Sequence, residues 1–292
     1  IQDAVVKILI ENGHAKTSEA YILYRAERSK IRNMKTRLMK SIEEITFADS
    51  KDADVKRENA NIDGNTAMGT MLQYGSAVSR EFCKSQLMTP QYAHLHDNGD
   101  IHIHDMDFMN MGTLTCCQID LDKLFTNGFS TGHGHLREPQ DITSYAALAA
   151  IAIQSNQNDQ HGGQSIPAFD YYLAKGVAKT FRKDYIANLN RALELFINLD
   201  TDVKPTFERI EKETGKQPAI HMDESFLNEI NKMLAQDYGL GRDQIELINK
   251  FAYKEAYKDT KKKTFQAMEG FVHNLNTMHS RAGAQVPFSS IN

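Results

Sequence analysis

Four histidines fall within eleven residues, His94, His96, His102 and His104, with Asp97 and Asp100 among them and Asp105 next in line. Two adjacent cysteines, Cys116 and Cys117, follow. Imidazoles and carboxylates at this density invite a metal, and a thiol can serve as ligand, nucleophile or hydrogen donor. Spacing argues against the metal. Thr89-Pro90 predicts a helix with a threonine cap and proline in its first position, running out near Asn98-Gly99. On that helix His94 and His96 stand about 200° apart and cannot share a ligand set. If the chain turns instead as a hairpin at Asn98-Gly99, both point away from His102. Either way the pairs do not converge. A site from His102, His104 and Asp105 stays open beside the commoner hydrogen-bonded role, and no metal is assigned to this chain.

The stretch Gly99–Leu121 reads as two strands joined by a short loop. In the first, His102 and His104 share one face, with Ile101 and Ile103 on the other. In the second, Leu114, Cys116 and Gln118 fall on one side, and Thr115, Cys117, Ile119 and Leu121 on the other. Helices covering the sheet would pack against Ile119 and Leu121, which turns Cys116 to the opposite, polar face. A sheet with one apolar face and one face of His, Cys and Gln describes a barrel or cleft with chemistry inside. Asp105 and Asp107 read as hydrogen-bonded loop residues.

The elements that must position these residues are mostly helices. Residues 1–33 predict a helix, a stop at Gly13 and a second helix; 34–60 a polar surface helix with a linker. From Thr66 the apolar positions Met68, Met71, Leu72, Val78 and Phe82 step by three and four, with Cys83 a buried spectator at the end. Residues 141–155 are apolar nearly all round and predict a buried helix, followed by a polar loop over 156–165. Further helices are expected over 168–198, 205–214, 223–236 and 242–258. A last one starts near Thr264, with Phe265, Met268, Val272, Leu275, His279 and Ala282 on one face, and stops at Gly283; Ala284–Asn292 reads as a strand.

At 292 residues and 33.0 kDa the chain can bury a full core. A net charge of -4 gives no bulk attraction to nucleic acid or anionic membrane. No apolar run approaches the ~20 residues of a membrane helix. Three cysteines without metal spacing fit a reducing cytoplasm rather than a disulfide scaffold. The chain starts at Ile1 inside a helical pattern and stops at Asn292 inside a strand pattern, so both ends read as cut from something longer.

His102-Ile-His-Asp-Met-Asp-Phe108 and Thr115-Cys-Cys-Gln-Ile-Asp-Leu121 resemble the anaerobic (class III) ribonucleoside-triphosphate reductases of the glycyl-radical superfamily. Lys56–Asn65, Met68–Gly75 and Ser280–Asn292 agree, in the expected order. The resemblance implies an α/β fold in which residues 34–292 form the helix-rich first half of a ten-stranded α/β barrel. Ala20–Arg32 is similar to the last helix of an ATP-cone, which makes residues 1–33 the tail of that regulatory domain. It further implies that the parent protein reduces ribonucleoside triphosphates to deoxyribonucleoside triphosphates for DNA synthesis.

By the same resemblance Cys116 is the redox partner of a thiyl-radical cysteine and gives hydrogen to the substrate's 2′ carbon. His102 lies near the substrate. Cys117 is the rival thiol; strand faces and the spacing to Ile119-Asp120-Leu121 favour Cys116. Ser289, Ser290 and Asn292 are candidates for substrate contact, and Gln154, His161, Gly162 and Gly163 for the region that binds an effector deoxynucleotide. The implied cofactors are a glycyl radical and a four-cysteine zinc site, both in segments beyond Asn292 together with the thiyl cysteine, and ATP or deoxynucleotide effectors. The implied partners are a radical S-adenosylmethionine activase carrying a 4Fe–4S cluster, a second copy in a homodimer, and formate or a dithiol protein as reductant. The piece by itself is expected to be inactive. Another glycyl-radical lyase or dehydratase, and a non-catalytic nucleotide-binding or dimerisation module, are the alternatives.

Overall fold

In the computed structural model, which describes residues 1–47, 66–278 and 287–292, Gly13 at φ +79° turns the chain between α1 (Gln2–Glu11) and α2 (Ala15–Phe47). Lys56–Asn65, His279, Ala282, the Gly283 stop and the start of the last strand lie outside the described residues. Packing groups residues 1–47, 66–115 and 159–161 into one unit, and residues 116–158, 162–278 and 287–292 into a second.

In the first unit α2 runs unbroken through positions 33 and 34. Helix α3 (Ala67–Phe82) starts where Thr66 accepts the Gly69 N–H at 3.0 Å, and closes in a π turn, Cys83–Leu87. Its buried face is not the expected one. Met68, Met71, Val78 and Phe82 are exposed, while Gly69, Gln73, Ser79, Glu81 and Cys83 are buried. The inner face is polar because its groups find partners there. Ser76 donates to Asp107 Oδ2 at 2.7 Å, Ser79 to the Asp107 carbonyl, and Glu81 lies 3.2 Å from an Arg37 guanidinium nitrogen. Helix α4 (Pro90–Asp97) begins and ends where the sequence predicts, with Gly99 at φ +82° just beyond it, but the expected cap is absent: the Thr89 side chain makes no capping hydrogen bond.

The second unit holds a parallel three-stranded sheet in the order β1 (Cys117–Gln118), β4 (Gln164–Ile166), β5 (Ser289–Ile291). Parallel neighbours require long crossovers. The first carries α5 (Leu121–Asn127), a hairpin of β2 (Phe129–Ser130) and β3 (His135–Leu136), and α6 (Ile142–Asp159). The second carries α7 (Phe169–Ile197), α8 (Lys204–Thr214), α9 (Glu224–Tyr238) and α10 (Arg242–Thr277). Strand β4 replaces the expected polar loop at its end, with Ile166 fully buried.

The two helices expected over 242–258 and from Thr264 are one. The polar segment between them, Asp259–Lys263, stays helical because buried Thr260 donates to Asp184 Oδ2 at 2.9 Å and Lys263 pairs with the same carboxylate. In the last part of α10 the buried residues are Ala267 and Phe271, with Met268 and Leu275 partly covered; Phe265 and Val272 are exposed. One core joins α7 to α8, α9 and α10 through Phe181, Tyr185, Phe207, Phe226, Ile230 and Ile248. A second lies under the sheet, where Ile119, Leu121, Tyr145, Ile153, Ile166 and Phe271 meet. The fold is α/β in composition, helix-rich with a small sheet, and no described helix is long and apolar enough to cross a membrane.

Candidate functional site

Residues 101–104 form no strand, contrary to expectation. A strand needs its backbone donors for a neighbour, and here they turn back. The Asp100 and Ile101 N–H groups donate to the Leu95 carbonyl at 2.9 and 3.3 Å, and Ile103 N–H to His96 Nδ1 at 3.2 Å. The segment caps α4 and continues as turns to Gly112. His102 and His104 are therefore exposed beside His96, with 5.8 Å between successive ring centroids. His94 stands apart, 2.9 Å from Asn98 Nδ2. Among the described residues no three His, Cys, Asp or Glu side chains are grouped to hold a metal ion.

Asp105, at φ +48°, sets Oδ2 3.3 Å from His104 Nε2 and 3.3 Å from His161 Nε2. His161 is buried and stacks on Phe108 with 4.5 Å between ring centroids. Its N–H donates to the Leu114 carbonyl at 2.9 Å, so that donor is not free for a phosphate. Cys83 is fully buried; its thiol donates to the Met106 carbonyl, and burial pushes its pKa up.

The sheet of the second unit sorts the remaining candidates. Paired residues on parallel strands share a face. Cys117 pairs with Gln164 and Gln164 with Ser289; Gln118 pairs with Ser165 and Ser165 with Ser290. The first row faces the helices. Cys117 packs against the core under the sheet, and its sulfur accepts from Asn156 Nδ2 at 3.0 Å, a nitrogen also 2.8 Å from Gln164 Oε1.

The second row faces away from that core. Gln118 and Ser290 are exposed, Ser165 is half-buried, and Cys116, one position before β1, is exposed. Ile119 is buried on the other side, as the alternation predicts, whereas Leu121, expected on the same strand, is buried as the first residue of α5. The three expected substrate contacts are thus divided. Ser290 stands on the open face, Ser289 on the covered one, and Asn292 is exposed with its carbonyl accepting the Phe169 N–H at 2.7 Å. Gln154 is half-buried and donates to the Asn274 carbonyl at 3.1 Å; Gly163 lies under the Phe288 ring. Ser165 and Thr113 were missed by sequence reading, because a three-residue strand and a single loop threonine carry no periodic signal.

A parallel sheet normally has both faces covered by apolar side chains. This one exposes a thiol, an amide and hydroxyls on one face, a surface able to hydrogen-bond a polyhydroxylated ring beside a sulfur that can exchange hydrogen.

A family model described as "Anaerobic ribonucleoside-triphosphate reductase" matches residues 58–292. The chain is 28% identical over 184 residues to the anaerobic ribonucleoside-triphosphate reductase of Escherichia coli (strain K12), covering 63% of this chain and 26% of that protein. It is 26% identical over 184 residues to the protein of that name in Haemophilus influenzae, again 63% and 26%. Against the one in Enterobacteria phage T4 it is 30% identical over 146 residues, 49% of this chain and 24% of the relative. The chain spans about a quarter of the length of the relatives it matches.

Proposed function

The chain belongs to the family of anaerobic ribonucleoside-triphosphate reductases, and from that premise we propose that it is the barrel-forming N-terminal part of a protein that reduces ribonucleoside triphosphates to deoxyribonucleoside triphosphates. The three parallel strands are then the beginning of a ten-stranded α/β barrel whose inner face is the open one. Cys116 is the thiol that gives a hydrogen atom to the substrate's 2′ carbon as the 2′ hydroxyl departs as water; its S–H bond is weak enough for that exchange. Ser290 and Gln118 hydrogen-bond the sugar, and His102 keeps the substrate role that the family resemblance implies. The observation that carries this reading is the opposed placement of two adjacent thiols, Cys116 exposed on the polar face and Cys117 tied into the core.

The parent protein carries a glycyl radical formed on its own glycine when a radical S-adenosylmethionine activase removes a hydrogen atom, works as a cytoplasmic homodimer, draws on formate or a dithiol protein for reducing equivalents, and answers to ATP and deoxynucleotide effectors. The end of α6 near Gln154, with Gly162 and Gly163, is the effector region of this reading. Anaerobic incubation of the longer reading frame with activase, reductant and ribonucleoside triphosphates is expected to yield deoxynucleotides, and the 292-residue chain alone to yield none. A longer protein that carries the glycyl radical by electron paramagnetic resonance yet makes no deoxynucleotide overturns the proposal.

A further inference from the structure

The last residues before Cys116 are held by one short segment. Thr113, Leu114 and Thr115 each meet Gln160 or His161. The Thr113 hydroxyl lies 2.8 Å from His161 Nδ1, and the Leu114 carbonyl accepts the His161 N–H at 2.9 Å. Gln160, in the amide orientation that satisfies its neighbours, donates to the Thr115 carbonyl at 3.0 Å. Leu114 and Gln160 also form a parallel bridge.

His161 is fixed in turn. Its ring is buried, lies nearly parallel to Phe108 at 12°, and meets Asp105 Oδ2 3.3 Å from Nε2. A carboxylate at Nε2 favours the proton on that nitrogen, which leaves Nδ1 to accept from Thr113. Such a second partner sets both the tautomer and the ring plane, as it does for ligating histidines. Rotation of the Thr113 segment would therefore break a hydrogen bond that the buried ring cannot replace from solvent.

We propose that His161, its ring oriented by Asp105 and Phe108, is a positioning residue for the thiol at 116: through its ring to Thr113, beside its backbone N–H to the Leu114 carbonyl, it fixes the chain that delivers Cys116. The claim rests on Cys116 being the hydrogen-donating thiol. Hydrogen transfer requires the donor within contact distance, and a misplacement near 1 Å can cost about a hundredfold in rate.

The test uses the longer, activated protein. His161→Phe keeps a flat ring against Phe108 and removes both polar ends; Thr113→Val removes only the hydroxyl. His161→Phe is expected to lower kcat by about 10- to 100-fold with the KM for ribonucleotide changed less than about threefold. Thr113→Val should move kcat in the same direction, and His161→Gln, which retains an amide for Thr113, should recover part of the loss. A His161→Phe protein with kcat within about threefold of the parent overturns the clamp. So does a kcat loss that follows the melting temperature and is not relieved in His161→Gln. Cys116→Ser in the same assay separates the two claims: if it still turns over, the reading of Cys116 has failed, whereas an inactive Cys116→Ser beside a normal His161→Phe removes the clamp alone.

Discussion

Serine at position 116 should abolish deoxynucleotide formation by the longer protein, a fall of more than about a hundredfold, the scale on which loss of a group acting at the reacting atoms is felt. The hydroxyl is nearly the size of the thiol, and Cys116 is exposed, so neither packing nor folding changes. What changes is bond strength. An O–H bond is too strong to give its hydrogen to a carbon radical, so the step has no donor. Serine at position 117 should leave turnover within about tenfold of the parent, a barrier change under ~1.4 kcal/mol. Its oxygen still accepts from Asn156, 3.0 Å from the sulfur it replaces. The comparison is made by product chromatography on equal amounts of radical-bearing protein. Equal losses at both positions would mean that the adjacent thiols act together or that neither acts.

The second large effect belongs to the scaffold. Gly176 on α7 lets α6 approach so closely that a Cβ there would stand 2.8 Å from Cγ and Cδ2 of buried Tyr145. Next to it Thr180 donates to the Gly176 carbonyl at 2.8 Å and accepts the Ile142 N–H at 2.8 Å, so the helices are bonded as well as packed. Gly176→Ala should lower unfolding free energy by ~2 kcal/mol, the usual size of overpacking in a tight core. It should do so although alanine favours a helix over glycine by ~1 kcal/mol. Gly270, on α10, has nothing within 4 Å of the same Cβ. Gly270→Ala should raise stability by up to ~1 kcal/mol. Denaturant melts of the two variants should shift in opposite directions; a shared direction would contradict the packing described for α6 and α7.

Helices were legible where pattern and punctuation agree. Thr89-Pro90 and Gly99 bracket α4 in sequence and structure alike, because a fixed φ and a left-handed stop act locally, although the Thr89 side chain makes no capping hydrogen bond. The face of Cys117 and Ile119 was legible for a related reason: alternation is local, and burial of a large apolar residue fixes it; the expected strand nevertheless ends early, because Asp120 caps a helix that starts at Leu121. Failures came where long-range partners decide. The stripe of Met68, Met71, Val78 and Phe82 marks a helix but not its buried side, which is set by serines bonded to Asp107 and by Glu81 beside Arg37. Residues 101–104 alternate like a strand, yet their donors are taken by Leu95 and His96. The joint in the long helix vanished because Asp184, far away in sequence, holds Thr260 and Lys263. The opposite faces of Cys116 and Cys117 were legible in the sequence. The burial of the His161 ring was not, since it is set by Asp105, Phe108 and Thr113 together.

The placement of the three sulfurs can be read on the native 292-residue chain itself. After brief treatment with iodoacetamide under reducing, native conditions, peptide masses should show Cys116 carboxamidomethylated first, Cys117 later, and Cys83 only once the chain is unfolded. Modification of Cys117 or Cys83 ahead of Cys116 would contradict the open face on which the proposed chemistry depends.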